Sequence, residues 1–367
     1  MTKEFGSPSS YIQGNGVLFE SDQYLKGFGD KPLLLTDDSV YNIVGQKFES
    51  YLKDHGYSVV LVKFQGESSE SEINRIAQIG KDENVSAIYG LGGGKTSDSA
   101  KAIADNLDIP VVIMPTLAST DAPCSRLSVI YTDDGSFDHY RFYNHNPNLV
   151  LVDSHIIAGA PAHLLIAGIA DALATNVEAQ AVAQAGADTM LNEKQTLVGS
   201  AIGQKCEETL FKYAHIAVAD VKQHVVTSAL EKVIEANTLM SGLGFESGGL
   251  SGAHAIHDGL TTLEQTHALT HGEKVAYGTL TQLMLEGADQ DRYNKYFKLI
   301  LSLGLPTTLA DLHLENATDE ELLAAGKAAC SENDTIDRLP FKVEPNDVAQ
   351  AFRAVDSYTK EYLEANK

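Results

Sequence analysis

Imidazole is a common metal ligand and titrates near neutrality, so clustered histidines are the first chemical signal in this chain. Four of the twelve histidines, His254, His257, His267 and His271, fall within eighteen residues. His254 and His257 are three apart, and His267 and His271 are four apart, so each pair shares a face if its segment is helical. No HExxH pattern is present. A catalytic zinc takes three protein ligands and keeps one position open, and two histidines with one carboxylate form such a set. Asp258, Glu264 and Glu273 are carboxylates close in sequence. Asp171 is distant, but it stands in Ala167-Gly168-Ile169-Ala170-Asp171-Ala172-Leu173. A carboxylate among small apolar residues is costly to bury unless a cation pairs with it, which makes Asp171 the more suspicious acid. The alternative is that Asp171 caps a helix or pairs with a lysine while the histidines line an exposed helix face.

A second signal is Gly90-Leu91-Gly92-Gly93-Gly94-Lys95-Thr96-Ser97-Asp98, which follows a strand pattern and opens a helix pattern. Glycine lets the backbone approach an anion, and the free N–H groups of a helix start favour a phosphate. The spacing matches neither the Walker loop nor GxGxxG, so it reads as a phosphate cradle of another kind, or as a plain strand-to-helix turn. Asp37 closes an earlier strand; it can accept from a ribose diol and repel a 2′-phosphate, or simply cap a turn. The loop Pro115-Thr116-Leu117-Ala118-Ser119-Thr120-Asp121-Ala122-Pro123-Cys124-Ser125 follows the next strand, and its hydroxyls and carboxylate suit a polar ligand.

The elements that must hold these residues change character along the chain. Strand patterns at Pro32–Thr36, Tyr57–Phe64, Val85–Leu91 and Pro110–Met114 alternate with helix patterns at Tyr41–His55, Ser69–Glu83 and Lys95–Asn106. Val44, Phe48 and Leu52 share one helical face, and Gly56 stops that helix. This alternation predicts parallel βαβ units in a Rossmann-like α/β domain. Arg126–Thr132, Tyr140–Tyr143 and Leu149–Val152 read as further strands. The first two flank the turn Asp133-Asp134-Gly135-Ser136, a hairpin expected to edge the same sheet. Beyond residue 160 helix patterns dominate: 166–184, 187–218 (with a break), 228–242, 249–261, 273–289 and 348–365. The expected organisation is an α/β domain over 1–160 and an all-α domain over 161–367.

With 27 basic and 50 acidic residues, the formal charge of −23 argues against nucleic acid and anionic membranes as partners. Cys124, Cys206 and Cys330 are odd in number and far apart, which fits a reducing compartment. Residues 1–10 lack an apolar signal core, and no apolar run is long enough to span a bilayer, so a cytoplasmic location is expected.

The GGGKTSDSAK turn, the Pro115–Pro123 loop, Gly168–Ala172, Gly252–His257 and His271–Ala276 together resemble the glycerol dehydrogenases, the zinc-using branch of the iron-containing alcohol dehydrogenase superfamily. The likeness runs in order along the chain. It implies a dehydroquinate-synthase-like architecture, one Zn2+ per subunit on Asp171, His254 and His271, and NAD against Asp37, Gly94, Lys95, Thr116, Ser119, Ser125, Leu127 and Tyr131. It further implies that Asp121 and His254 contact a small polyol substrate, that glycerol is oxidised to dihydroxyacetone, and that the subunits form a homo-oligomer, an octamer in many members. A dehydroquinate-synthase-like lyase or a glycerol-1-phosphate dehydrogenase would need basic side chains for its substrate's phosphate. None occurs from Ser241 to Gly272. A non-catalytic nucleotide-binding protein is the remaining alternative.

Overall fold

A computed structural model describes residues 2–332 and 334–366. Two compact units emerge. One comprises residues 6–165 and 216–242; the other comprises 1–5, 166–215 and 243–367.

The first unit is built on a six-stranded parallel sheet. Its strands are β1 (Tyr11–Gly14), β2 (Pro32–Thr36), β3 (Val60–Lys63), β4 (Ala87–Gly92), β5 (Val111–Pro115) and β8 (Leu149–Asp153), ordered β1-β8-β5-β4-β2-β3. Every residue of β2, β4, β5 and β8 is buried, which is why these strands read as unbroken apolar runs in sequence. Early helical segments are short: α1 (Asp22–Leu25) and α2 (Asp38–Val40). α2 continues through a π-turn at Tyr41–Gly45 into α3 (Gln46–Asp54), and Gly56 ends the run at φ +90°. α4 (Glu70–Glu83) and α5 (Gly94–Leu107) supply the next crossovers. Phe48, Leu52, Leu34, Tyr89 and Met114 form part of one apolar core cluster.

The hairpin lies elsewhere than expected. β6 (Leu127–Tyr131) and β7 (Phe137–Phe142) pair antiparallel as a separate two-stranded sheet. β7 is half-buried or exposed throughout, so it lacks the apolar faces that a covered parallel sheet demands. The edge beyond β8 is taken instead by β1, which pairs with it in parallel.

α6 (Ser154–Ala158) and α7 (Ala162–Ala185) follow, then α8 (Leu197–Lys222) after a non-helical stretch from Gly186. α9 (Ser228–Glu235) passes through a π-turn into α10 (Ser241–Gly248). The second unit continues with α11 (Gly252–Thr261), α12 (His271–Leu285), α13 (Gln290–Ser302), α14 (Asp319–Ala329) and α15 (Pro345–Ala365). No helix among the described residues is long and apolar enough to cross a membrane.

In this unit α7, α11 and α12 meet through three small or branched residues, Ala174, Ala253 and Val275. Glycine brings the backbones closer still. A Cβ on Gly272 would lie 1.9 Å from the Ala167 carbonyl oxygen, and one on Gly278 would lie 2.4 Å from that of Ala253. α12 can therefore contact both neighbours only because it carries glycine at those two positions.

Candidate functional site

Asp171, His254 and His271 stand on α7, α11 and α12, the three helices that Ala174, Ala253 and Val275 join. One donor atom from each lies within 4.8 Å of the others. His271 Nε2 is 3.0 Å and His254 Nε2 3.3 Å from Asp171 Oδ1. The Asp171 side chain is 1% exposed, that of His254 8% and that of His271 32%, so His271 is the most exposed of the three. Burial opposes the charge on Asp171, but the two imidazoles beside it outweigh burial and hold its carboxyl well below the usual range. Burial likewise opposes a charge on His254, yet the carboxylates of Glu178 and Asp171 raise its pKa above the ordinary value. A buried carboxylate converging with two imidazoles on one point is the chemistry of a divalent-cation site, and the donor set fits one.

The outer nitrogens of both histidines are also held. Glu178 Oε2 lies 2.6 Å from His254 Nδ1. His271 Nδ1 lies 3.0 Å from His257 Nε2, and His257 Nδ1 lies 2.8 Å from Asp258 Oδ1. Burial, then the neighbouring His271, pushes the His257 imidazole down to about 3, so it is neutral and accepts at Nε2. Glu178 escaped the sequence reading, although a signal was present: it follows Asp171 by seven residues, two helical turns along the same apolar face. The other histidine and acids of the segment lie apart. His267 is exposed and bonds the Thr261 carbonyl at 2.9 Å, Asp258 holds His257, and Glu273 closes a capping box with Thr270.

The nucleotide candidates gather in the α/β unit. The chain runs outward from β2 to β3 and then returns to β4 on the other side of β2, so the strand order reverses between β2 and β4. Ligands of open α/β sheets bind at such a switch, beyond the carboxyl ends of the strands. Asp37 ends β2, Gly94 and Lys95 open α5 after β4, and Thr116 and Ser119 follow β5. Gly90 and Gly92 let α5 pack on β4, since a Cβ on either would fall within 2.7 Å of Ala100 or Thr96. Gly93 differs. Its φ is −85° and a Cβ there would meet only Leu117 at 3.7 Å, so the fold itself does not demand glycine. No side chain caps the α5 start at Gly93, and the buried Thr116 hydroxyl finds no partner among the described residues. An open helix N-terminus beside an orphaned hydroxyl fits a phosphate-bearing cofactor.

Other candidates are already engaged. Asp37 caps α2, accepting from Val40 N at 2.8 Å. Lys95 Nζ lies 2.7 Å from Glu67 Oε1, which offsets part of its charge. Ser125 is fully buried with its hydroxyl 3.3 Å from the Ala122 carbonyl. Buried Lys101, paired with Asp98 at 2.9 Å, donates to Ala122 O at 2.9 Å and to Leu127 O, tying the Ser125–Leu127 stretch to α5. Tyr131 ends β6, with Lys95 Nζ 5.8 Å from its ring centre. Asp121 is buried and accepts from Ser241 Oγ at 3.0 Å.

A glycine turn at a parallel-sheet switch and an Asp-His-His cluster among helices describe a nucleotide- and metal-using enzyme architecture. Residues 8–154 match the family Iron-containing alcohol dehydrogenase. The chain is 46% identical over 364 residues to a glycerol dehydrogenase of Escherichia coli O6:H1, covering 99% of each. It is 44% identical to a glycolaldehyde reductase of Halobacterium salinarum, over 97% of this chain and 98% of that one. The crystal structure of glycerol dehydrogenase from Schizosaccharomyces pombe superposes with a TM-score of 0.96 at 42% identity, over 100% of this chain and 93% of the other. The chain belongs to the iron-containing alcohol dehydrogenase family, among the glycerol dehydrogenases.

Proposed function

We propose that this protein oxidises glycerol to dihydroxyacetone, reversibly, with NAD as hydride acceptor and Zn2+ on Asp171, His254 and His271, and that it also takes related vicinal diols. The observation that carries this reading is the converging Asp171, His254 and His271 cluster, in a chain that matches a glycerol dehydrogenase over 99% of both lengths. A divalent cation bound there supplies Lewis acidity, lowering the pKa of a substrate hydroxyl and orienting the diol. NAD, when bound, accepts the hydride.

The chain's own residues do the rest. Asp171 contributes the one negative charge of the donor set, which balances part of the cation's charge in a buried place. His254 and His271 contribute nitrogen lone pairs whose directions are set by Glu178 and His257. Asp121 accepts from a further substrate hydroxyl and His254 borders the substrate. Gly94, the open α5 start and Lys95 receive the pyrophosphate; Thr116, Ser119, Ser125, Leu127 and Tyr131 line the remaining cofactor surface. Asp37 accepts from the ribose diol with the oxygen its cap leaves available, and its charge disfavours NADP. The proposed division is an NAD-binding domain over 1–160 and a metal-binding, catalytic one over 161–367, although residues 1–5 fall in the helical unit and 216–242 in the α/β unit. The protein works as a cytoplasmic homo-oligomer, an octamer.

The glycolaldehyde reductase relative favours one further reading, reduction of a small hydroxyaldehyde at the same centre, since that substrate also carries adjacent oxygens. Absorbance at 340 nm decides between them across glycerol, 1,2-propanediol, 2,3-butanediol and glycolaldehyde. EDTA should abolish glycerol-dependent NADH formation and Zn2+ should restore it; full activity after verified metal removal refutes the metal reading.

A further inference from the structure

Glu178 is buried in α7 and makes three contacts with one short stretch of chain. Its Oε1 accepts from Ser251 N at 2.9 Å and from His254 N at 3.0 Å. Its Oε2 lies 2.6 Å from His254 Nδ1. Ser251 precedes α11 and its own side chain does not cap that helix, so a carboxylate from another helix does so. The Gln282 side chain completes the cap, with Oε1 2.7 Å from Ala253 N. Oε1 is occupied as the acceptor of two backbone N–H groups, and a carboxylate at this position accepts at Oε2 as well. The 2.6 Å contact therefore fixes a proton on His254 Nδ1 and leaves Nε2, 3.3 Å from Asp171 Oδ1, as the ligating nitrogen.

We infer that Glu178 is a positioning residue of the metal centre: one carboxylate sets both the tautomer of His254 and the seat of the helix turn that carries it. The inference rests on the metal reading above. Among the described residues His271 has no such carboxylate on its outer nitrogen; there the contact is the ring of His257 at 3.0 Å. The two ligand histidines are therefore unequal, and His254 is the stronger donor, because hydrogen bonding to an anion raises imidazole basicity.

E178Q separates the tautomer effect from the helix cap. Glutamine is nearly the same size and keeps one oxygen for the Ser251 and His254 N–H groups. Its amide then presents N–H to His254 Nδ1, which must accept, and the ring proton moves to Nε2, the face a cation needs. Zn2+ affinity of the full chain, read by chelator competition, is expected to fall about 10–100-fold while NADH binding is retained. Long-range 1H–15N spectra of metal-free wild type, recorded where the His254 ring is neutral, should show its proton on Nδ1; a proton on Nε2 overturns the inference without any variant. Equal Zn2+ affinity of folded E178Q and wild type also overturns it. Wild type that takes up no Zn2+ instead refutes the metal reading itself.

Discussion

Replacing Gly272 with alanine tests whether close helix packing sets the metal geometry. Gly272 follows His271 directly, at the start of α12, where the helix touches the α7 backbone. The added Cβ would sit 1.9 Å from Ala167 O, 2.6 Å from Ala167 C and 2.8 Å from Ala167 Cα, all backbone atoms of the helix that carries Asp171. Ordinary contact begins near 3.4 Å, so the two helices must separate locally by about 1.5 Å. Zinc–nitrogen and zinc–carboxylate bonds are only about 2.0–2.2 Å long, so a shift of that size removes His271 from a set that still holds Asp171. Zn2+ affinity should drop by at least about 100-fold, in line with the effect of ångström-scale misplacement in active sites. Overpacking should also cost about 1–3 kcal/mol of stability. Chelator-competition titration measures the first quantity and denaturant unfolding the second. G27A is the control, since a Cβ at Gly27 meets nothing within 4 Å. NADH fluorescence reports separately on the α/β unit and should be unchanged. If G272A binds Zn2+ like wild type and unfolds at the same denaturant concentration, the packing argument is wrong.

Three further outcomes are expected. Asp37→Asn keeps an oxygen for the α2 cap but removes the charge, so the NAD-to-NADP ratio in kcat/KM should fall roughly tenfold with stability held, the loss expected for one charge-assisted bond; an unchanged ratio removes Asp37 from the cofactor surface. In the metal-free protein the His254 pKa lies above its ordinary 6.5, so the stability from its ion pairs is fully present below pH 6.5 and is lost as pH rises through the folded value. Zn2+ must displace that proton, so its affinity should climb about tenfold per pH unit between 6.5 and the folded value. Calorimetry in buffers of different ionisation heat counts the released proton, and a pH-independent affinity with no proton release contradicts the assignment.

Much of the α/β unit was legible because its signals are local. β2, β4 and β5 announce themselves as apolar runs, Val44, Phe48 and Leu52 as a helical face, and Gly56 as its stop. The GGGK turn declares a helix start without a capping side chain. β1 was missed, since Tyr11-Ile12-Gln13-Gly14 is a short, half-buried edge whose identity comes from β8. The hairpin was recognised but misplaced, because two strands and a turn do not say which sheet edge is vacant.

The metal centre divides in the same way. Composition made the histidines conspicuous, and burial cost made Asp171 suspicious among four possible acids. What no local pattern carries is distance. His271 Nε2 reaches Asp171 Oδ1 at 3.0 Å across a hundred residues of chain only because Gly272 lets α12 touch α7. The roles of Glu178 and His257 are likewise relations between helices, invisible until Ala174, Ala253 and Val275 bring those helices together. Sequence determines which groups are available and which segments fold locally; tertiary packing decides which of them share a point, because that depends on backbone approach between segments far apart in the chain.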